Sequence, residues 1–226
     1  MTNVEIKQVL INKGIDRLYH ANSVRTAITF LENGGLLSRE AVEERGLFQT
    51  RQFSDDTDKE LNIFNDIFLD SADIHEAASN LNKYGPILFV YSIDLIDDLP
   101  ENVIKITKSN PIYWNAAMHE DEKYFTTLDE LNASYMKQQF GQHFTIIEQN
   151  DPLPFTHLRE IIIDNPHSPE DEELFENAKQ EIEETMAANN IDVRLTVRRC
   201  PDGCGCRTSY ADNRRRLFVM YTTERN

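Results

Sequence analysis

The run Ile87-Leu88-Phe89-Val90-Tyr91-Ser92-Ile93 constrains this chain more than any other feature. It is apolar at nearly every position and is opened by Gly85-Pro86, so it has no polar face to turn to water. Such a strand is stable only when both faces are covered, which places it at the centre of a sheet. Leu158-Arg159-Glu160-Ile161-Ile162-Ile163 has a similar character and supplies a second strong strand. Shorter strand candidates lie at residues 17–20, 103–106, 143–148, 191–198 and 217–221.

Helical signals fall between these strands. Val4, Ile6, Val9, Leu10 and Ile11 mark a short helix that Gly14 ends. Asn22 or Ser23 caps a helix whose Val24, Ala27, Ile28 and Leu31 share a face at spacings of three and four. Thr127-Leu128-Asp129-Glu130 reads as a capping box, with a helix to about residue 140. Ser168-Pro169-Glu170-Asp171 opens another, striped by Leu174, Phe175, Ala178, Ile182 and Met186 to about residue 188. Residues 39–83 are polar apart from an apolar island at 63–69. Short strands with irregular connections predict an α+β fold in one domain, residues 1–226. The last two strands flank Pro201-Asp202-Gly203-Cys204-Gly205-Cys206, so residues 191–226 read as a basic hairpin packed on the domain or appended to it.

The length of 226 residues is enough for a core that needs no disulfide or metal. The three cysteines lie between Cys200 and Cys206, an odd set that makes a poor disulfide framework and suits a reducing cytoplasm. No apolar run is long enough to span a membrane, and the N-terminus lacks the pattern of a signal peptide. A formal charge of −16 argues against general attraction to nucleic acid or anionic membrane. The charge is uneven, however: residues 193–226 hold eight Arg against three acids, a hint of a nucleic-acid or acidic partner.

Several residues could carry chemistry. His20 ends a strand just before a capped helix, where an imidazole and backbone amides can meet a ligand. Glu160 stands at a strand start beside three apolar residues, where burial is costly unless the carboxylate is paired or functional. Asp66, Asp70 and Asp73 would share a face if they lay on a helix, with His75 beside them, a layout that could take Mg2+ but reads better as a solvated or substrate-facing polar helix. His119-Glu120-Asp121-Glu122 reads as an exposed loop. Cys200, Cys204 and Cys206 could hold zinc with a His or water as fourth ligand, supply a reactive thiolate, or stand as free thiols in a turn. The arginines Arg194, Arg198, Arg199, Arg207, Arg214, Arg215 and Arg216 could face phosphates, with Tyr210 to stack on a base.

In order along the chain, Leu18-Tyr19-His20-Ala21-Asn22-Ser23, the helix after it, Gly35-Leu36-Leu37, the strand 87–93 and Glu160 resemble the ADP-ribosyltransferase superfamily. The layout is most similar to DarT-type toxins that modify nucleic-acid bases, over roughly residues 15–165. The resemblance implies a split mixed sheet flanked by helices, with NAD+ as co-substrate in a reaction that needs no metal. It implies that Glu160 orients the ribose and stabilises the oxocarbenium charge. His20, with Ala21 and Asn22, would hold the ribose or carboxamide. Tyr84 would stack on nicotinamide, with Phe64 and Phe68 as rivals. Arg51 would act with Glu160, with Arg39 and Arg45 as rivals. The acceptor would be single-stranded DNA or RNA, met by Arg198, Arg199, Arg207, Arg214 and Arg215. A toxin or phage-defence role with an antitoxin partner would follow. The alternatives are a protein side chain as acceptor, or a module that binds a nucleotide or an acidic partner without catalysis.

Overall fold

The computed structural model describes residues 1–226 apart from 79–81, 138, 166–170, 201–202 and 225–226. The chain opens with α1 (Asn3–Asn12), β1 (Arg17–Asn22), α2 (Val24–Glu32), β2 (Gly35–Leu36), α3 (Arg39–Glu44) and α4 (Asp55–Glu60). Next come β3 (Ile67–Leu69), α5 (Ile74–Ala78), β4 (Ile87–Ser92), α6 (Leu95–Asp98), β5 (Ile104–Ile106), α7 (Glu120–Lys123) and α8 (Leu128–Ser134). The last elements are β6 (Phe144–Ile146), β7 (Leu153–Pro154), β8 (Leu158–Asn165), α9 (Glu172–Ala188), β9 (Arg194–Arg199), α10 (Gly205–Asp212) and α11 (Arg214–Tyr221).

The four-stranded sheet runs β1-β4-β8-β9. Every residue of β4 is buried, as its apolar sequence requires of a central strand. Its neighbours β1 and β8 are antiparallel to it, while β9 joins β8 in parallel after the α9 crossover. A second sheet, β3-β6-β5, is antiparallel throughout. Among the described residues, the two meet at one bridge, Tyr19 to Asp70, beyond which β1 and β3 part. This is the split sheet that the resemblance implied, within the α+β class read from the residues.

Strand alternation sorts the residues of the large sheet onto two faces. Leu18, Phe89, Tyr91, Ile161 and Ile163 join the main core, where each buried Phe or Ile contributes about 1.5–3 kcal/mol. Ala21, Leu88 and Val90 form a small cluster on the other face, edged by the part-buried Tyr19 and Ile162. The buried apolar residues of α2 and α9 belong to the main core, and the two helices pack on each other. Ser23 caps α2, accepting from the Thr26 amide at 3.3 Å, and Val24, Ala27, Ile28 and Leu31 are buried as their spacing predicts. In α9, Phe175, Ala178, Ile182 and Met186 form the buried stripe. The expected start of that helix at Ser168-Pro169-Glu170 lies outside the described residues.

Some expectations are corrected. Residues 191–226 are not a hairpin: β9 pairs with β8, and the residues 217–221 read as a strand lie in α11. Asn213 caps that helix by accepting from the Arg216 amide at 3.0 Å. Leu217 and Tyr221, one turn apart, are buried while Phe218 and Val219 are exposed, so tertiary burial overrides the β-prone composition. Helix α8 stops at Ser134 because Tyr135 turns extended and packs its ring edge-on to Phe125 in the core. Residues 67–69 form a strand, so Asp66, Asp70 and Asp73 share no helical face. His119 to Glu122 caps and begins the short exposed helix α7. Among the described residues, no helix is long and apolar enough to cross a membrane.

Candidate functional site

Where β1 and β3 diverge, they leave a cavity of about 320 Å³, within the size range of ligand clefts. Its lining includes His20, Ala21 and Asn22 from the end of β1, together with Tyr84, Phe64 and Phe68. The segment singled out from the sequence thus meets the candidate aromatic residues in one place. Gly85 makes this possible: it has φ +149, and a Cβ there would stand 2.2 Å from the Asn22 carbonyl oxygen. Only glycine lets the chain entering β4 press against the end of β1.

Both ring nitrogens of His20 are engaged. Nδ1 lies 2.9 Å from the Phe68 carbonyl oxygen, which can only accept, so Nδ1 carries the proton. Nε2 then accepts from the Asn22 side-chain amide at 2.9 Å. Burial lowers the His20 pKa, with the Phe68 carbonyl opposing it, so the ring is neutral at neutral pH. It also packs 5.9 Å from the Phe30 ring. His20 is therefore a fixed, uncharged wall of the cavity, and Asn22 is locked to it.

The lining also carries charge. Arg39 lines the cavity and holds Asp55 in a fork, with Nη2 donating at 2.8 Å and Nε 2.6 Å from the other oxygen. It also donates to the Thr50 carbonyl at 3.1 Å. Arg51, the sequence's first choice, is not among the lining residues. Its side chain is 79% exposed and pairs with Asp56, because it sits on the outer side of the loop before α4. Arg45 donates to the Asn150 carbonyl. Of the three arginines, the fold brings Arg39 to the site.

Sequence reasoning placed Asp70 on a helical acidic face and did not single out His143; both line the cavity and meet at 2.9 Å, Nδ1 to Oδ1. They are 73 residues apart, so no local signal joins them. Asp66 is a further lining carboxyl. Burial raises its pKa to about 7, partly offset by the Glu148 amide that donates to it.

Glu160 is not brought into the cavity. In register it stands beside Val90, on the face of Ala21 and Leu88, whereas His20 stands beside Phe89 on the core face. Its carboxylate accepts from Arg194 at 2.8 Å and from the Thr196 hydroxyl at 3.0 Å, with Arg17 3.6 Å away. The two sites are nevertheless linked by Ala21, which lines the cavity and belongs to the apolar cluster beside Glu160.

The C-terminal arginines do not form one cationic surface. Arg198 is committed to Asp164 at 2.6 Å and to Asp73, so it braces the fold instead of facing a phosphate. Arg214 pairs with Asp171 at 2.5 Å, and Arg216 donates to the Lys83 carbonyl. Arg199 and Arg215 are exposed, Arg207 is half-buried, and Tyr210 is buried in the core, which removes it as a stacking residue. Large apolar side chains instead crowd the cavity mouth. Ile112 and Tyr113 line it and are 59% and 77% exposed, and Phe53 nearby is fully exposed.

No family model matches the sequence, and no curated protein matches it. Among solved structures, the DarT of Thermus sp. 2.9 in complex with ADP-ribosylated single-stranded DNA is similar over 82% of this chain and 95% of that one, with 12% identity and a TM-score of 0.51. The same DarT with NAD+ aligns over 81% and 96%, at 12% identity and a TM-score of 0.49. With the cavity where β1 and β3 part, the chain has the fold of that DNA-bound Thermus DarT.

Proposed function

We propose that this protein is an ADP-ribosyltransferase that moves ADP-ribose from NAD+ to a nucleic-acid base. The observation that carries the reading is that His20, Ala21, Asn22 and Tyr84, chosen from the sequence, line one cavity in a chain with a DarT fold. The nucleotide would seat between the neutral His20 wall and Arg39, with Tyr84 as the stacking ring. The nicotinamide ribose would pass Ala21, which the cavity shares with the apolar cluster beside Glu160, to reach that carboxylate. There the C–N bond to nicotinamide breaks, nicotinamide leaves with the electron pair, and the Glu160 carboxylate stabilises the positive sugar. Arg194 and Thr196 hold that carboxylate in place. Electrostatic stabilisation of this type is worth about 10²–10³ in rate.

The acceptor base would stack on Tyr113 at the cavity mouth, since every base has a π-face and base–aromatic stacking is worth about 1–3 kcal/mol. Arg199 and Arg215 remain as phosphate contacts. Modification of nucleic-acid bases would harm the host cell, so a toxin or defence role in the cytoplasm, held in check by an antitoxin, belongs to the same proposal.

The test incubates the protein with labelled NAD+ and, separately, single-stranded DNA, RNA and lysate protein. Glu160→Gln, Asp70→Asn and Tyr113→Ala are run alongside. The expected result is label on DNA or RNA, lost by about 10²–10³-fold in Glu160→Gln. Tyr113→Ala should weaken transfer to nucleic acid while sparing nicotinamide release. If Asp70→Asn abolishes transfer and Glu160→Gln does not, the reaction centre lies inside the cavity and the role given to Glu160 is wrong. Label on protein alone would move the acceptor to a side chain. With no label and no nicotinamide released on any acceptor, the protein is a binding module.

A further inference from the structure

We infer a structural zinc site formed by His75, Cys200, Cys204 and Cys206. All four side chains are buried, and one ligand atom from each lies within 4.8 Å of all the others. His75 Nε2 is 3.0 Å from Cys204 Sγ and 3.6 Å from Cys200 Sγ. Cys206 Sγ is 3.1 Å from Cys204 and 2.7 Å from Cys200. The shortest of these is well beyond a disulfide bond of about 2.05 Å, and all three cysteines are free. A tetrahedral zinc with Zn–S of about 2.3 Å and Zn–N of about 2.0 Å holds its ligands about 3.5–3.8 Å apart. The four atoms therefore close on a space for one ion and spread by up to about 1 Å around it.

The surroundings fit a metal centre better than a packed cluster of thiols. Three thiols and an imidazole buried together are poor partners for one another, whereas a metal satisfies all of them. The other ring nitrogen of His75 stands 2.9 Å from Asp164 Oδ2. A carboxylate behind a ligating imidazole fixes its tautomer and strengthens its bond to the metal. Asp164 is held in turn by Arg198 Nε at 2.6 Å. Asp73 accepts from the His75 and Glu76 amides and so fixes the start of α5. Three sulfurs and one nitrogen in a tetrahedral set select zinc over hard cations. The set offers no open position, which marks a structural site and not a catalytic one.

The ion would fasten α5 to Cys200, Cys204 and Cys206 beyond β9, joining residues 125 apart. That clamp would hold the two C-terminal helices against the sheet and anchor the segment that follows Asp70 in the cavity. The inference does not depend on the proposed activity, because metal content is measured on the protein alone.

The test is elemental analysis of the full-length protein after exhaustive dialysis, with X-ray absorption at the zinc edge. The expected result is about one zinc per chain in a shell of three sulfurs and one nitrogen. Replacement by Co2+ should give the visible spectrum of a tetrahedral thiolate site. His75→Ala and Cys204→Ser should lose the metal, while His75→Cys should keep it, because a fourth thiolate can take the place of the imidazole. Chelation should lower the melting temperature, and Zn2+ alone should restore it. Should the single variants fail to fold, the wild-type stoichiometry, absorption and Co2+ spectrum still decide. The inference is overturned if the dialysed protein holds no zinc and chelator-treated protein neither binds Zn2+ nor gains stability from it. It is equally overturned if mass spectrometry finds a disulfide among the three cysteines, or if zinc is bound through oxygen ligands.

Discussion

Asp66 should make this protein less stable as pH rises, and Asp66→Asn should remove that loss. The side chain is 8% exposed, and Oδ1 accepts from the Glu148 amide at 3.0 Å. Burial raises its pKa from 3.8 to about 7. Between those two values the folded state holds a proton that the unfolded state has released. Stability therefore falls with pH across this window, and the loss is complete once the folded group ionises. At 1.36 kcal/mol per pH unit, the whole window corresponds to about 4 kcal/mol. The part between about pH 5 and pH 8 is roughly 3 kcal/mol. Lys105 nearby favours the charged form, and relaxation around the carboxylate would reduce the value further. Asparagine keeps an acceptor for the Glu148 amide but cannot ionise. Urea unfolding of wild type and variant at about pH 5 and pH 8 measures the effect as a difference of differences. Contributions from other groups cancel. The variant should gain about 2–3 kcal/mol on wild type between the two conditions. Parallel pH profiles would refute the reasoning and mean that Asp66 ionises in the folded protein as it does in water.

Two further substitutions probe the walls of the cavity. In Gly85→Ala the new Cβ meets the Asn22 carbonyl and the Ser23 amide at 2.2 and 2.4 Å. The variant should lose about 1–3 kcal/mol in urea unfolding and bind NAD+ more weakly by titration calorimetry; a wild-type midpoint would show that the close approach is not needed. Arg39→Ala leaves Asp55 buried without its cation and should cost about 3–5 kcal/mol. By contrast, Arg51→Ala breaks only an exposed pair and should stay within about 0.5 kcal/mol of wild type. Equal effects of the two would mean that the buried Arg39–Asp55 pair holds the fold no better than the exposed Arg51–Asp56 pair.

The strands β4 and β8, helices α1 and α2, and the stripe of α9 were legible from sequence because each obeys a local rule: an apolar run, a capped helix, a spacing of three and four. The composition of 217–221 misled, since Phe218 and Val219 favour strands in general but here face water on a helix that Leu217 and Tyr221 bury. Arg51 misled because three arginines in one polar stretch cannot be ranked without knowing which the backbone turns inward.

By itself, the sequence determined the α+β class, the central strand and the segment from His20 to Asn22, because periodicity, capping and apolar runs act over a few residues. Tertiary structure alone decided that Glu160 faces away from His20, since a one-residue change of register along a strand reverses the face. It alone joined Asp70 to His143 and His75 to the three cysteines. Those groups are 73 residues or more apart in sequence, and what sets them side by side is burial in a common core, which no local pattern encodes.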